Sequence, residues 1–339
     1  MITLEGVSKL FTSHGQTMRA VDDVSFTVEE GELCVLIGPS GSGKTTTMRL
    51  INRLETPTAG RIVVNERDIR SLDAVELRRG IGYVIQQSGL FPHFTVADNV
   101  AVVPRLLGWP REKRRQRADE LLALVGLPPE IFANRYPRQL SGGQQQRVGV
   151  ARALAADPPI ILMDEPFGAV DPITRKQLQR ELRRIQAAVH KTIVFVTHDI
   201  SEAFLLGDRI VLMADGRIVQ NGAPADLLRQ PADAFVTAFI GEDRGLRALQ
   251  FTTLAELATP APGDVPAGGL VLPGALPVLE GTRRLSTEGC AGGDGFWVGD
   301  AAGRPTGYLS YLRLAQLLGE TITVGAAAEE EGGGNALPH

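Results

Sequence analysis

The chain has 339 residues and a formal net charge of −4 at pH 7, from 35 basic and 39 acidic side chains. That length allows two domains with a buried core each, and so even a balance excludes an overall field drawn to nucleic acid or an anionic membrane. With only two cysteines, Cys34 and Cys290, a disulfide framework and a cysteine metal cluster are excluded, and a reducing cytosol is expected.

At the start, "MITLEGVSKL" has neither the basic flank nor the apolar core of a signal peptide. Nowhere does an apolar run reach the roughly 20 residues that cross a bilayer, so a soluble chain is expected, with any membrane role reached through a partner. "LCVLIG" (33–38), "IGYVI" (81–85), "IILMD" (160–164) and "TIVFVT" (192–197) are short runs apolar on both faces. Separated by longer periodic segments, they predict buried strands of a parallel sheet covered by helices. Cys34 falls in the first of these runs and reads as a small buried side chain.

That first run leads into "GPSGSGKTTT", in which Gly38, Gly43, Lys44 and Thr45 fit G-x-x-x-x-G-K-[ST] completely. A strand precedes it and a helix follows. Glycines let backbone N–H groups turn inward around an anion, and the helix N-terminus adds partial positive charge. Pro39, Ser40, Gly41, Ser42 and Thr46 complete the cradle. Lys44 would reach the β- and γ-phosphates of a nucleotide, and the Thr45 hydroxyl would take a place on Mg²⁺. A plain strand-to-helix turn would leave Lys44 unexplained.

Further on, "REKRRQRADE" (111–120) is basic, and a solvated helix face accounts for it better than nucleic-acid contact. In "LSGGQQQR" (140–147), Ser-Gly-Gly before a polar helical run offers free N–H groups and a hydroxyl to an anion. "IILMDEP" ends an apolar run on Asp164, suited to holding Mg²⁺ through water, beside Glu165, suited to polarising an attacking water. "RIVLMADGRIVQNG" (209–222) predicts an edge hairpin turning at Asp215-Gly216. Around Arg244 the composition shifts to Gly, Pro and Ala. "GFWVGDAAGRPTGYLSYLRLAQLL" (295–318) still predicts strand, turn, strand, helix, whereas residues from "GDVPAGG" to "STEGCAGGDG" show no convincing amphipathic helix. The end, "AAAEEEGGGNALPH", reads as disordered.

The Gly38–Thr45 loop, "LSGGQQQR", "MDEP" and "THD" (197–199) stand in the order found in ABC-transporter ATPases, and the chain resembles that family from Ile2 to about Arg244. The resemblance implies an α/β fold of the P-loop ABC-ATPase type over 1–244, with a helical subdomain at about 87–156 and antiparallel edge strands. It also implies a homodimer that sandwiches two ATPs. Ser141, Gly142, Gly143 and Gln144 of one subunit would face the γ-phosphate held by Lys44 of the other. Gln86, six residues before Pro92, matches the glutamine that senses Mg²⁺ and the attacking water; Gln87 is the alternative. His198 matches the switch histidine on the γ-phosphate. Asp171 in "FGAVDP" matches the acid of the loop after the catalytic glutamate, although Val170 replaces the usual leucine. Phe11 sits where the family stacks an aromatic on adenine, a core phenylalanine being the competing reading.

Within that family, "VELRRGIGYVIQQSGLFPHFTVADNVAVVPRLLGW", "FGAVDPITR" and "FVTHDISEAFLLGDRIVLM" look like the ATPase of importers of glycine betaine, carnitine or choline. The implied partners are an integral membrane permease and, indirectly, a substrate-binding protein, with no nucleic acid. The implied location is the cytoplasmic face of the inner membrane. "LFPHFTVADNV" would form the groove for a permease coupling helix, with Phe91 and Phe94 as exposed aromatics. Twin-cassette ribosomal proteins carry two such loops, and DNA-repair ATPases insert long coiled coils, so neither matches. Residues 245–320 resemble a single degenerate CBS-like α+β region, with 321–339 a disordered tail.

Overall fold

A computed structural model of the chain describes residues 1–13, 16–85, 89–168, 170–241, 243–260, 265, 269–288 and 294–317. Gln86, Gln87, Cys290 and the expected disordered tail lie outside the described residues. The chain divides into two compact units, Met1–Pro224 and Ala225 onward. The division precedes two helices that the compositional shift near Arg244 places with the first unit.

In the first unit, β1 (Ile2–Ser13) and β2 (Gln16–Val28) form an antiparallel pair with Ile2 opposite Val28 and Leu4 opposite Phe26. After β3 (Leu33–Ile37) and α1 (Lys44–Ile51), β4 (Ala59–Val64) returns to pair with β1, and the short β5 (Arg67–Asp68) closes a four-stranded sheet. Next come α2 (Ala74–Arg79) and β6 (Ile81–Val84). A helical lobe follows: α3 (Val96–Val100), α4 (Val102–Leu106), α5 (Arg111–Leu124), α6 (Pro129–Phe132) and α7 (Gly142–Leu154). The chain then re-enters the sheet through β7 (Ile160–Asp164), α8 (Pro172–Val189), β8 (Thr192–Val196) and α9 (Ile200–Leu206). It ends this unit in the hairpin β9 (Arg209–Ala214) and β10 (Arg217–Gly222).

These strands make a six-stranded sheet in the order β10-β9-β3-β8-β7-β6, parallel except for β10. Every residue of β3, β7 and β8 is buried, which is why the sequence reads as continuous apolar runs rather than alternation. Alternation survives in what each side chain meets. Cys34, Leu36, Leu162, Val194 and Val196 join one cluster with Ile2, Leu4, Phe26, Ile62, Met48 and Ile51 from the antiparallel sheet and α1. Their neighbours face the other way, as Phe195 does toward Phe167, ring centroids 5.7 Å apart. Truncating one such residue, Leu36→Ala for instance, costs about 2–5 kcal/mol. Cys34 is fully buried, and burial pushes its thiol pKa well above the usual range. It is an inert core residue, as its place in the apolar run predicts.

This topology gathers function at one end. With parallel strands side by side, the loops leaving the C-terminal ends of β3, β7 and β8 emerge together, where open α/β sheets bind ligands.

The second unit contains α10 (Pro224–Arg229), α11 (Ala234–Ile240), α12 (Arg244–Ala248) and α13 (Leu254–Leu257). They precede β11 (Val271–Pro273), α14 (Val278–Glu288), β12 (Gly295–Gly299), β13 (Pro305–Ser310) and helical residues 311–317. Strand, turn, strand, helix at 295–317 is as the sequence predicts. α14 corrects the expectation of no amphipathic helix in the Gly/Pro-rich stretch. It buries Val278 and Leu285 against Leu254, Leu272, Phe296, Val298 and Leu309. Eleven residues with good helix formers suffice once a sheet covers the apolar face, whatever the flanks.

Candidate functional site

The turn after β3 is built around two glycines that nothing else could replace. Gly38 has φ 145° and Gly43 φ 98°, and a Cβ at either would collide with a backbone carbonyl, of Met213 and Ala20 respectively. The loop is thereby pressed against β9 and β2 while Pro39, Ser40 and Gly41 stand exposed at its crest. Gly43 is also the N-cap of α1 and supplies no side-chain cap, so the first-turn N–H groups are left for an anion.

Lys44 is only 6% exposed. Its Nζ donates to the carbonyls of Gly38 and Pro39, both at 2.7 Å, and to Ser42 Oγ at 3.3 Å. Burial lowers its pKa, opposed by the charges of Glu165 and Asp164. An ammonium held in the bowl of its own loop is a fixed positive charge that could meet an anion.

Asp164 ends β7 and is 8% exposed. Its Oδ1 accepts from the Thr45 hydroxyl at 3.0 Å. Burial raises its pKa, with the Thr45 bond opposing and the Glu165 charge adding. Glu165 follows at φ 43°, a left-handed conformation uncommon outside glycine, asparagine and aspartate. Its N–H donates to Val196 O at 2.9 Å, and its carbonyl accepts from Gly168 N at 3.1 Å. The strained backbone is thus pinned on both sides, as at many active sites. His198, after β8, has an exposed ring whose Nδ1 is 3.5 Å from Glu165 Oε1.

The structure therefore brings Gly38–Thr46, Asp164, Glu165 and His198 to the C-terminal ends of the neighbouring strands β3, β7 and β8. Other predicted residues stand apart. Ser141 caps α7 through a reciprocal box with Gln144: Gln144 N donates to Ser141 Oγ at 3.3 Å and Ser141 N to Gln144 Oε1 at 3.0 Å. Among the described residues, no hydrogen bond joins Ser141, Gly142, Gly143 or Gln144 to the Gly38–Thr45 loop. Asp171 Oδ1 accepts from Ile173 N at 3.2 Å at the start of α8. Phe11 is half-buried on β1 and outside the core, with Lys9 Nζ 4.8 Å from its ring centroid. Gln86 falls outside the described residues. The basic face of α5 is laced with ion pairs, Arg115 to Asp119 and Arg117 to Glu120, as a solvated surface would be.

Two polar residues were not singled out from the sequence. Asn99 is fully buried and clamps the 91–95 turn, its Nδ2 donating to the carbonyls of Phe91, Phe94 and Thr95 while its Oδ1 accepts from Phe91 N. Phe91 remains 47% exposed, but Phe94 is half-buried beside it, which corrects the expectation of two exposed aromatics. Glu202, 3% exposed in the apolar run "ISEAFLL", lies behind the His198 turn. A carboxylate amid apolar neighbours was the available signal for it.

A family model described as ABC transporter matches residues 21–168. The osmoprotectant import ATP-binding protein OsmV of Salmonella typhimurium is 52% identical over 263 residues, 77% of this chain and 69% of that protein. The choline transport ATP-binding protein OpuBA of Bacillus subtilis is 58% identical over 244 residues, 72% of this chain but 63% of its own length. The glycine betaine uptake system ATP-binding protein YehX of Escherichia coli is 52% identical over 76% of this chain and 82% of that one. Among solved structures, a dimeric post-hydrolysis state of the ATP-binding cassette MJ0796 bound to ADP and Pi superposes with a TM-score of 0.60. It has 39% identity and covers 66% of this chain and 99% of that one. The chain thus spans between about three fifths and four fifths of these transport proteins.

Proposed function

The chain belongs to the ABC transporter family, and on that premise we propose that it is the ATP-hydrolysing subunit of an importer of quaternary amines such as glycine betaine, carnitine or choline. The observation that carries the reading is the convergence of Lys44, Thr45, Asp164, Glu165 and His198 on the N-terminus of α1. Lys44 and the free N–H groups of the loop bind and orient the triphosphate. Glu165, whose Oε1 is 3.5 Å from His198 Nδ1, polarises the attacking water. His198, within 3.5 Å of Glu165, holds the γ-phosphate.

The Thr45 hydroxyl and the Asp164 carboxylate, already 3.0 Å apart, are the hard oxygen donors that suit Mg²⁺. When bound, Mg²⁺ would neutralise phosphate charge. Gln86 completes this set on the family pattern. Phe11, half-buried with Lys9 Nζ 4.8 Å from its ring centroid, would stack on adenine on the family pattern.

The capping box at Ser141 lies apart from the Lys44 loop, which fits a homodimer in which each phosphate meets Lys44 of one copy and Ser141 to Gln144 of the next. The dimeric MJ0796 cassette supports that arrangement. The substrate reading rests on the names of the relatives, which act in osmoprotectant, choline and glycine betaine transport. It brings with it a membrane permease, a substrate-binding protein, and a place on the cytoplasmic face of the inner membrane. The CBS-like reading of residues 245–320, paired across the homodimer, is supported by their compact three-stranded sheet and core. The test is uptake of labelled glycine betaine, carnitine and choline by cells carrying this chain and its permease. Loss of all uptake in Lys44→Ala is expected; uptake that survives it refutes the coupling.

A further inference from the structure

Glu202 is a buried ionisable group that the hydrolysis just proposed does not use. We propose that Thr197, Glu202 and Arg175 form a positioning unit that fixes the turn bearing His198 and ties it to the segment bearing Asp171; this rests on the ATP-hydrolase reading. The Thr197 hydroxyl donates to Glu202 Oε2 at 2.6 Å and accepts from Asp199 N at 3.0 Å. One side chain thereby spans His198 from the residue before it to the residue after it. Gln179 Nε2 donates to Glu202 Oε1 at 3.1 Å. The carboxylate of Asp199 in turn caps α9, accepting from Ser201 N at 2.8 Å and Glu202 N at 3.2 Å.

Arg175 extends the unit across the site. Its Nη1 lies 3.5 Å from Asp199 Oδ2, its Nη2 donates to the Val170 carbonyl at 3.2 Å, and its Nε is 3.9 Å from Glu202 Oε1. Its own N–H donates to Asp171 O at 2.9 Å. A single guanidinium therefore contacts both the chain just before Asp171 and the chain just after His198.

The chemistry explains why these residue types are needed. Glu202, Thr197 and Gln179 are 3%, 2% and 6% exposed, so each unmet polar atom would be costly. Both Glu202 oxygens accept hydrogen bonds, which the ionised carboxylate does best, and Arg175 supplies the nearby positive charge. Burial pushes the Glu202 carboxyl above the usual range and the nearby Asp199 charge adds to this, while the Thr197 bond, ahead of Gln179 and Arg175, pulls it back. A hydrophobic residue at 202 would pack as well but would leave the His198 turn free to pivot. A bond length of play at a phosphate-contacting ring is enough to cost catalysis.

The test measures phosphate release from ATP by the full-length chain for Thr197→Val, which keeps volume and loses the hydroxyl. A fall in kcat of about tenfold is expected with KM unchanged within about threefold, and Thr197→Ser should restore most of it. In a His198→Ala background, Thr197→Val should cost less than about twofold more, because its effect passes through that ring. A folded Thr197→Val chain with wild-type kcat overturns the proposal, as does a full further loss in the His198→Ala background. Independently of turnover, the ring-proton resonance of His198 should move in Thr197→Val while those of His93 and His190 stay in place. No movement also overturns it. A wild-type chain that releases no phosphate refutes the hydrolase reading instead, and the resonances still decide this one.

Discussion

On the proposed reading two turns in this chain meet phosphate, and they are built in opposite ways. Gly38–Lys44 is pressed into the sheet, with two glycines at positive φ against neighbouring carbonyls and a lysine held by three contacts of its own loop. Ser141–Gln144 is a surface helix start satisfied by its own capping box, and a Cβ at Gly142 would meet nothing within 4 Å. The first is a finished anion site; the second is an open face that acquires a task only when something is brought against it. In the proposed dimer one chain would carry two half-sites with different tolerances to change.

The largest effect that could break this contrast is at the finished site. Lys44→Ala should weaken ATP binding by about 100-fold or more, whereas Glu165→Gln should keep affinity within about threefold and lose hydrolysis by about 100-fold or more. Fluorescent-nucleotide titration beside phosphate release separates the two; equal ATP affinities would contradict the division of roles.

Glycine substitutions sharpen the contrast in stability. Gly43→Ala meets both a forbidden φ and the Ala20 carbonyl, and should cost about 1–3 kcal/mol or more. Gly142→Ala, in a helix and in open space, should be neutral or gain up to about 1 kcal/mol. Thermal melts of the two variants compare them directly, and a Gly142→Ala loss as large as that of Gly43→Ala would show that the open face is packed. Next in size, Ser141→Ala removes the cap and should cost about 1 kcal/mol of stability while leaving ATP affinity at Lys44 within about twofold, as calorimetry would read.

The smallest expected effect on stability is at Phe91. It is exposed, so Phe91→Ala should change stability by under about 0.5 kcal/mol, yet lower solute uptake more than the phosphate release of the isolated chain. Parallel losses in both assays would place Phe91 in the fold rather than at a partner.

Much of this was readable beforehand. β3, β6, β7 and β8 lie where apolar runs predict them, because strands largely buried on both faces need apolar side chains on both. The Gly38–Thr45 loop was legible because its residue types are constrained by backbone geometry, which local sequence records. What escaped depends on long-range packing. The left-handed Glu165 is held by Val196, on another strand. Glu202 stood out only as a carboxylate in an apolar run, and what it does depends on α8, which brings Gln179 and Arg175 against it, and on Thr197 from the end of β8. α14 was hidden because its apolar face is satisfied by a sheet formed partly of later residues.

The central claim is that an active site needs Lys44 from one copy and the Ser141 turn from another. Mixing purified Lys44→Ala with Ser141→Arg, each inactive alone, tests it directly. Half of the dimers in an equal mixture would be mixed, each with one of its two sites intact, so phosphate release should return to about a quarter of the wild-type rate. A mixture no more active than its two components would contradict the account.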